Sequence, residues 1–166
     1  MSFQRRTPQL LHEDHQATIV VIEALDQMLE KARKAKPDVS DAKVEKALNM
    51  AATAIEDEIN NHFSFEEDQL FTLLEDAGDV GIGAHLREEH KAILPLGNRV
   101  AEAARAALAN GFTDDSWDGF RRSAAELIER MVAHIQKEEM ALLPMLEELL
   151  DPETDMELST GYASSH

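Results

Sequence analysis

The sequence predicts an all-α domain, four long helices in an antiparallel, up-down-up-down bundle. Three observations lead there. Apolar residues recur at three- and four-residue steps through four long stretches, which is the period of an amphipathic helix. The breaks between these stretches are short, and short connections make successive helices antiparallel neighbours. β-branched residues are sparse and nothing alternates for long, so no strand is expected.

The first helix starts at Thr7-Pro8, with Thr as N-cap and Pro at the first helical position. Its stripe is Leu11, His15, Thr18, Ile22, Leu25 and Leu29, and the run from Glu30 to Asp38, with Pro37, ends it. The second begins near Ser40-Asp41 and carries Val44, Leu48, Ala51 or Ala52, Ile55, Ile59, His62, Glu66, Leu70 and Leu73. A glycine-rich break follows from Asp76 to Gly83. The third runs from about Ala84 with Leu86, His90, Ile93 or Leu94, Gly97, Ala101, Ala104 and Leu108; Pro95 should kink it, and Asn110-Gly111 stops it. The fourth starts between Thr113 and Ser116 and carries Phe120, Leu127, Met131, His134, Glu138, Leu142, Met145 and Leu149, with Pro144 bending its last turns and Asp151-Pro152 closing it. A length of 166 residues suits one domain, expected over 7–151, with 152–166 a loose polar tail.

The formal charge of −17 argues against nucleic acid and acidic membrane surfaces as partners and favours cations. There is no Cys, which excludes thiolate metal sites, disulfides and cysteine nucleophiles, so any metal is held by nitrogen and oxygen. His12, Glu13, Asp14 and His15 interrupt the N-terminus too early for a signal peptide, and no apolar run is long enough to span a bilayer. The expectation is a soluble, cytoplasmic protein.

Two stretches carry the chemistry. In His62-Phe63-Ser64-Phe65-Glu66-Glu67 and again in His134-Ile135-Gln136-Lys137-Glu138-Glu139, 72 residues later, a His is followed four residues on by a Glu. Residues at that spacing lie on one face of a helix. Each predicted hairpin adds a lone His on its other stripe, His15 before His62 and His90 before His134. Two such hairpins packed face to face would converge six groups: His15, His62, Glu66, His90, His134 and Glu138. If each Glu bridges two ions, and an oxygen also joins the ions, one octahedral position on each remains for a small molecule. Imidazole and carboxylate without sulfur suit iron or manganese; zinc, which prefers four ligands, fits less well.

The order His, His-x-x-x-Glu, His, His-x-x-x-Glu resembles the hemerythrin-like, or HHE cation-binding, domain from roughly Leu10 to Leu150. Leu11-His12-Glu13-Asp14-His15, Arg87-Glu88-Glu89-His90 and the segment from Glu138 to Pro144 resemble it locally as well. The resemblance implies a hemerythrin-like bundle holding two iron ions, bridged by Glu66 and Glu138 and by an oxo or hydroxo group. It implies a small-molecule ligand, oxygen, peroxide or nitric oxide, and leaves enzyme, sensor and storage module open; it names no protein partner. Oxygen-carrying members have a second His four residues before the third-helix ligand, where this chain has Leu86, and they end on His and Asp five apart rather than four. Iron–sulfur repair members usually add an N-terminal segment with cysteines, and this chain has no Cys.

Plainer readings compete. A buried His–Glu pair can be structural, but two pairs with two lone His would bury several ionisable groups at high cost without a cation. A ferritin-like site needs Glu three residues before His, and those positions hold His12, Ile59, Arg87 and Met131. His12 lies on a more polar face than His15. His85, five residues from His90, approaches the metals only if the helix rotates near Pro95. Asp14, Glu67, Glu89 and Glu139, beside the ligands in sequence, are candidate acceptors for ligand N–H groups, against a solvated acidic face as the plainer reading for most. Phe63, Phe65 and Phe71 read as core or as pocket wall. Trp117 and Tyr162 carry no signal, and the terminal His166 needs no function.

Overall fold

The structure, a computed structural model, describes residues 3–164, except the side chains of Glu58 and Ile59. Ile59 of the second stripe and His166 therefore lie outside the described residues. The described chain is all-helical: α1 (Arg6–Lys31), α2 (42–76), α3 (Gly81–Asn110), α4 (114–149) and α5 (Pro152–Ser164). Helix α1 packs against α2 and α4, and α3 packs against the other sides of α2 and α4, so the four long helices close a ring; α5 lies against α1. Among the described residues no helix is long and apolar enough to cross a membrane.

Cross-helix contacts pair early residues with late ones. Arg5, before α1, hydrogen-bonds Glu147 at 2.7 Å and the Leu150 carbonyl at 2.9 Å, at the end of α4. Arg105, late in α3, pairs with Glu56, early in α2, while Arg87, early in α3, reaches Glu75, late in α2, at 3.4 Å.

Helix starts follow local chemistry, with one exception. Asp41 caps α2 by accepting from the Lys43 N–H, and Thr113 and Ser116 form a reciprocal capping box at α4. Thr7 does not cap α1. The helix begins at Arg6, and its first N–H groups, those of Arg6 and Thr7, donate to the Asp155 carboxylate of α5 at 2.8 Å each. The segment expected as a loose tail is this helix α5, with Asp155, Ser159 and Tyr162 buried. Helix α3 starts at Gly81, inside the expected break, and runs unbroken through Pro95, which lies on its exposed side. At Gly83 a Cβ would meet that of Phe71 at 3.3 Å, so the absent side chain lets α3 approach α2 closely.

Helices α2 and α4 are not uniform. Ala51–Ile55, Glu58–Phe63 and Glu66–Leu70 in α2, and Glu138–Leu142 in α4, are π-helical. A π turn takes up extra chain, so the buried face slips past it. The stripe predicted Leu73, but Leu74 is the fully buried residue; it predicted Met145 and Leu149, but Leu146 and Leu150 are buried and Leu149 is exposed. Two apolar clusters result. One joins Val21, Leu25, Leu48, Val100 and Phe120; the other joins Leu11, Leu70, Phe71, Leu86, Leu142 and Tyr162. On each long helix the six candidate ligands fall between the two.

Candidate metal centre

His15 comes from α1, His62 and Glu66 from α2, His90 from α3, and His134 and Glu138 from α4, and none is more than 2% exposed. The three π stretches nearest the centre hold His62, Glu66 and Glu138, so the widened turns coincide with the candidate ligands. The six divide into two overlapping groups. His15, His62, Glu66 and Glu138 offer one ligand atom each within 4.8 Å of one another, and so do Glu66, His90, His134 and Glu138. The two carboxylates belong to both.

All four imidazoles turn Nε2 inward. His15 Nε2 lies 2.9 Å from Glu138 Oε1, and His62 Nε2 lies 3.1 Å from Glu66 Oε2. His90 Nε2 lies 3.2 Å from Glu66 Oε1 and 3.2 Å from His134 Nε2, which is 3.5 Å from Glu138 Oε2. Both oxygens of Glu66 and Oε2 of Glu138 are buried without a hydrogen-bond partner. Burying unsatisfied carboxylate oxygens is costly, and a cation among them would remove that cost. With nitrogen and oxygen donors and no sulfur, the residues fit the metal that such a donor set selects.

The Nδ1 edges face outward, each to an acid. His15 Nδ1 lies 2.7 Å from Glu139, His90 Nδ1 3.1 Å from Glu67, His134 Nδ1 2.8 Å from Glu89, and His62 Nδ1 3.6 Å from Asp14. The acids are those beside the ligands in sequence, yet each serves the histidine of a neighbouring helix: α4 serves α1, α1 serves α2, α2 serves α3 and α3 serves α4. The solvated-face reading therefore gives way for Glu139, Glu67 and Glu89. An acceptor at Nδ1 fixes the proton there and leaves the Nε2 lone pair for the centre.

Electrostatics follow burial and pairing. Burial pushes the Glu66 carboxyl well above the ordinary carboxylate range, and the neighbouring Glu138 charge adds to it. Glu138 is driven the other way: against burial, the charge of His134 and the facing groups of Glu66, His134 and His15 hold it well below. Burial lowers His90 to about 4, reinforced by His134. Burial works against protonated His15 and His134 too, but their carboxylate partners prevail and raise both.

Three further residues matter. The Phe63 ring stacks on His90, with centroids 3.7 Å apart and planes 4° apart, and so walls that side of the centre. Tyr162 of α5 donates its phenol O–H to Asp14 and lies 3.4 Å from His62 Nδ1; it had no signal in the sequence because α5 repeats no apolar period that would announce a buried face. A cleft of about 180 Å³ beside His90 is lined by Asn60, Phe63, Glu67, His90 and Lys91. His85 stays outside: it is well exposed, and its Nε2 lies 3.2 Å from Lys137 Nζ. His12 bonds Glu139 at 2.5 Å, on the far side of that carboxylate from His15.

The family model described as the hemerythrin HHE cation binding domain matches residues 7–146, which include all six candidate ligands. No curated protein matches the chain.

Proposed function

The chain belongs to the hemerythrin HHE cation-binding domain family, and from that premise we propose that it is a cytoplasmic non-haem di-iron protein that binds or reacts with a small oxidant: oxygen, peroxide or nitric oxide. We take its four long helices as an antiparallel up-down-up-down bundle, a reading supported by the early-to-late pairing of Arg5 with Glu147 and of Arg105 with Glu56. The observation that carries the proposal is the sharing of Glu66 and Glu138 by two buried groups of candidate ligand atoms. Shared carboxylates between two histidine pairs suit two cations rather than one.

In this reading His15 and His62 hold one ion, His90 and His134 hold the other, and Glu66 and Glu138 bridge them. When bound, an iron pair supplies one-electron redox chemistry and open coordination positions. The chain supplies the rest. Glu139, Glu67 and Glu89 take the Nδ1–H groups of His15, His90 and His134 and keep those Nε2 lone pairs aimed inward. Phe63 and the two apolar clusters exclude water. The cleft beside His90 is of a size for a small molecule.

Metal analysis after aerobic, iron-replete expression tests the reading: two irons per chain are expected, and an iron-free protein would overturn it. Mixing the reduced protein with oxygen, peroxide or nitric oxide then separates two roles. Turnover marks an enzyme. Simple oxidation or a lasting adduct marks a sensor or storage module acting through a partner, a reading favoured by the docking of α5 on the outer layer of the centre.

A further inference from the structure

Two of the carboxylates behind the candidate ligands are gripped at both oxygens, each by two side chains three residues apart on one helix. His134 and Lys137 of α4 close on Glu89 of α3: His134 Nδ1 lies 2.8 Å from Oε1, and Lys137 Nζ donates to Oε2. His12 and His15 of α1 close on Glu139 of α4 in the same way, with His12 Nδ1 2.5 Å from Oε1 and His15 Nδ1 2.7 Å from Oε2. A three-residue step brings both side chains of a pair to one side of the helix. The Lys137 ammonium also lies 3.2 Å from His85 Nε2. Burial pushes the Glu89 carboxyl up, but hydrogen bonds from Lys137 and His134 overcome that and hold it below the ordinary range.

The grip matters because His134 faces a carboxylate at each edge. Glu89 stands at Nδ1, and Glu138 stands 3.5 Å from Nε2. A neutral ring carries one proton, and the stronger acceptor decides which nitrogen keeps it. Metal binding needs the Nε2 lone pair, so the proton has to stay on the Glu89 side. The Glu89 side chain is 19% exposed, close enough to solvent to turn outward once Lys137 lets go of it. We propose that Lys137 is a positioning residue of the metal centre: by holding the far oxygen of Glu89 it keeps the near one on His134 Nδ1, and so keeps Nε2 free for a metal.

The role in metal binding rests on the di-iron reading; the tautomer claim does not. The test uses the full chain and two variants. Lys137→Met removes the ammonium and keeps most of the length; Lys137→Arg keeps a cation. In the metal-free protein, at a pH where the ring is neutral, ¹⁵N NMR should show His134 as the Nδ1–H tautomer. Its Nε2–H share should rise in Lys137→Met and fall back in Lys137→Arg, with His15 unchanged. In anaerobic competition against a chelator, Lys137→Met should bind Fe²⁺ about tenfold more weakly, with an unchanged metal-free melting temperature. The direction is decisive, because loss of a nearby positive charge alone would tighten the hold on a cation. An unaltered His134 tautomer in Lys137→Met overturns the proposal. So does an equal or tighter hold on Fe²⁺, or an affinity loss that merely tracks a loss of metal-free stability. Should the unmodified chain take up no iron, the di-iron reading falls and the NMR comparison still decides the role of Lys137.

Discussion

Glu66 and Glu138 meet at the middle of the bundle with opposite proton affinities: Glu66 is held well above the ordinary carboxylate range and Glu138 well below it. Two buried carboxylates this close cannot both carry charge unless cations lie between them. In the metal-free chain the raised proton affinity of Glu66 favours a proton in that part, and the carboxylates beside His15 and His134 raise their proton affinities as well.

Metal uptake should therefore release protons. Ligands must be deprotonated to bind, so affinity rises with pH and loading expels whatever protons the ligands hold. Calorimetric titration of the metal-free chain with Fe²⁺ in buffers of different ionisation enthalpy measures that number. A heat independent of buffer would contradict the assignment, and so would full occupancy far below the ordinary pKa of His.

The two carboxylates should also respond oppositely to apolar replacement. Glu66→Leu removes two buried oxygens that lack hydrogen-bond partners, so the metal-free chain should gain stability, on the order of 1 kcal/mol. Glu138→Leu strips His15 and His134 of their shared partner and should cost roughly 1–3 kcal/mol. Either change should cut the metal content from a pair to at most one ion. Urea unfolding of the metal-free variants, with metal analysis of the loaded ones, checks both halves.

His90 gives the metal-free chain an acid-side weakness. Its folded pKa of about 4 lies below the ordinary imidazole value of 6.5. A depressed value means the unfolded chain takes the proton first, so this stability is present above 6.5 and is lost as pH falls towards 4. His15 and His134, raised by their carboxylates, act in the opposite sense: their stability is present below 6.5 and lost as pH rises through their folded values. His90→Gln should flatten the decline in urea midpoint between pH 6.5 and 4, by at most on the order of 3 kcal/mol. An unchanged slope would show that His90 is protonated in the folded chain.

Much of this was legible because a helix repeats. A period of three and four residues places His15, His62, His90 and His134 on inward faces. What the period could not carry was the slip at the π turns, which moved burial from Met145 to Leu146 and from Leu73 to Leu74. Nor could it say which acid serves which histidine. Glu89 adjoins His90 in the chain but serves His134, because its partner is chosen by how α3 meets α4. Tyr162 and Asp155 were illegible for a related reason. Their contacts lie 148 residues away in α1, and α5 has no apolar stripe to announce that it docks.

Asp155 should matter to α1 more than to its own helix. Burial pushes its carboxyl up, but the Thr7 and Arg6 N–H groups overcome that and hold it below the usual range. Asp155→Ala leaves those N–H groups without their cap and should cost about 1 kcal/mol. Because the folded value is depressed, this stability is present above the unfolded pKa and lost as pH falls through the folded one. Hydrogen exchange at Arg6 and Thr7 should quicken in the variant while exchange in α3 stays unchanged; uniform quickening would indicate global loss instead of a lost cap.

Leu86 offers a way to alter the centre from a single position. It lies one turn before His90, is 1% exposed, and belongs to the apolar cluster with Leu11, Phe71 and Leu142. A buried imidazole there has no acceptor supplied for it, so Leu86→His should destabilise the metal-free chain by roughly 1–3 kcal/mol. In the iron-loaded chain the new ring has a use, since a fifth imidazole would close one coordination position and partly recover the lost stability. The loaded variant should keep its iron, melt closer to the unmodified loaded protein than the two metal-free forms do to each other, and bind less azide per iron pair. If loading does not narrow the gap, the added imidazole does not reach the metals.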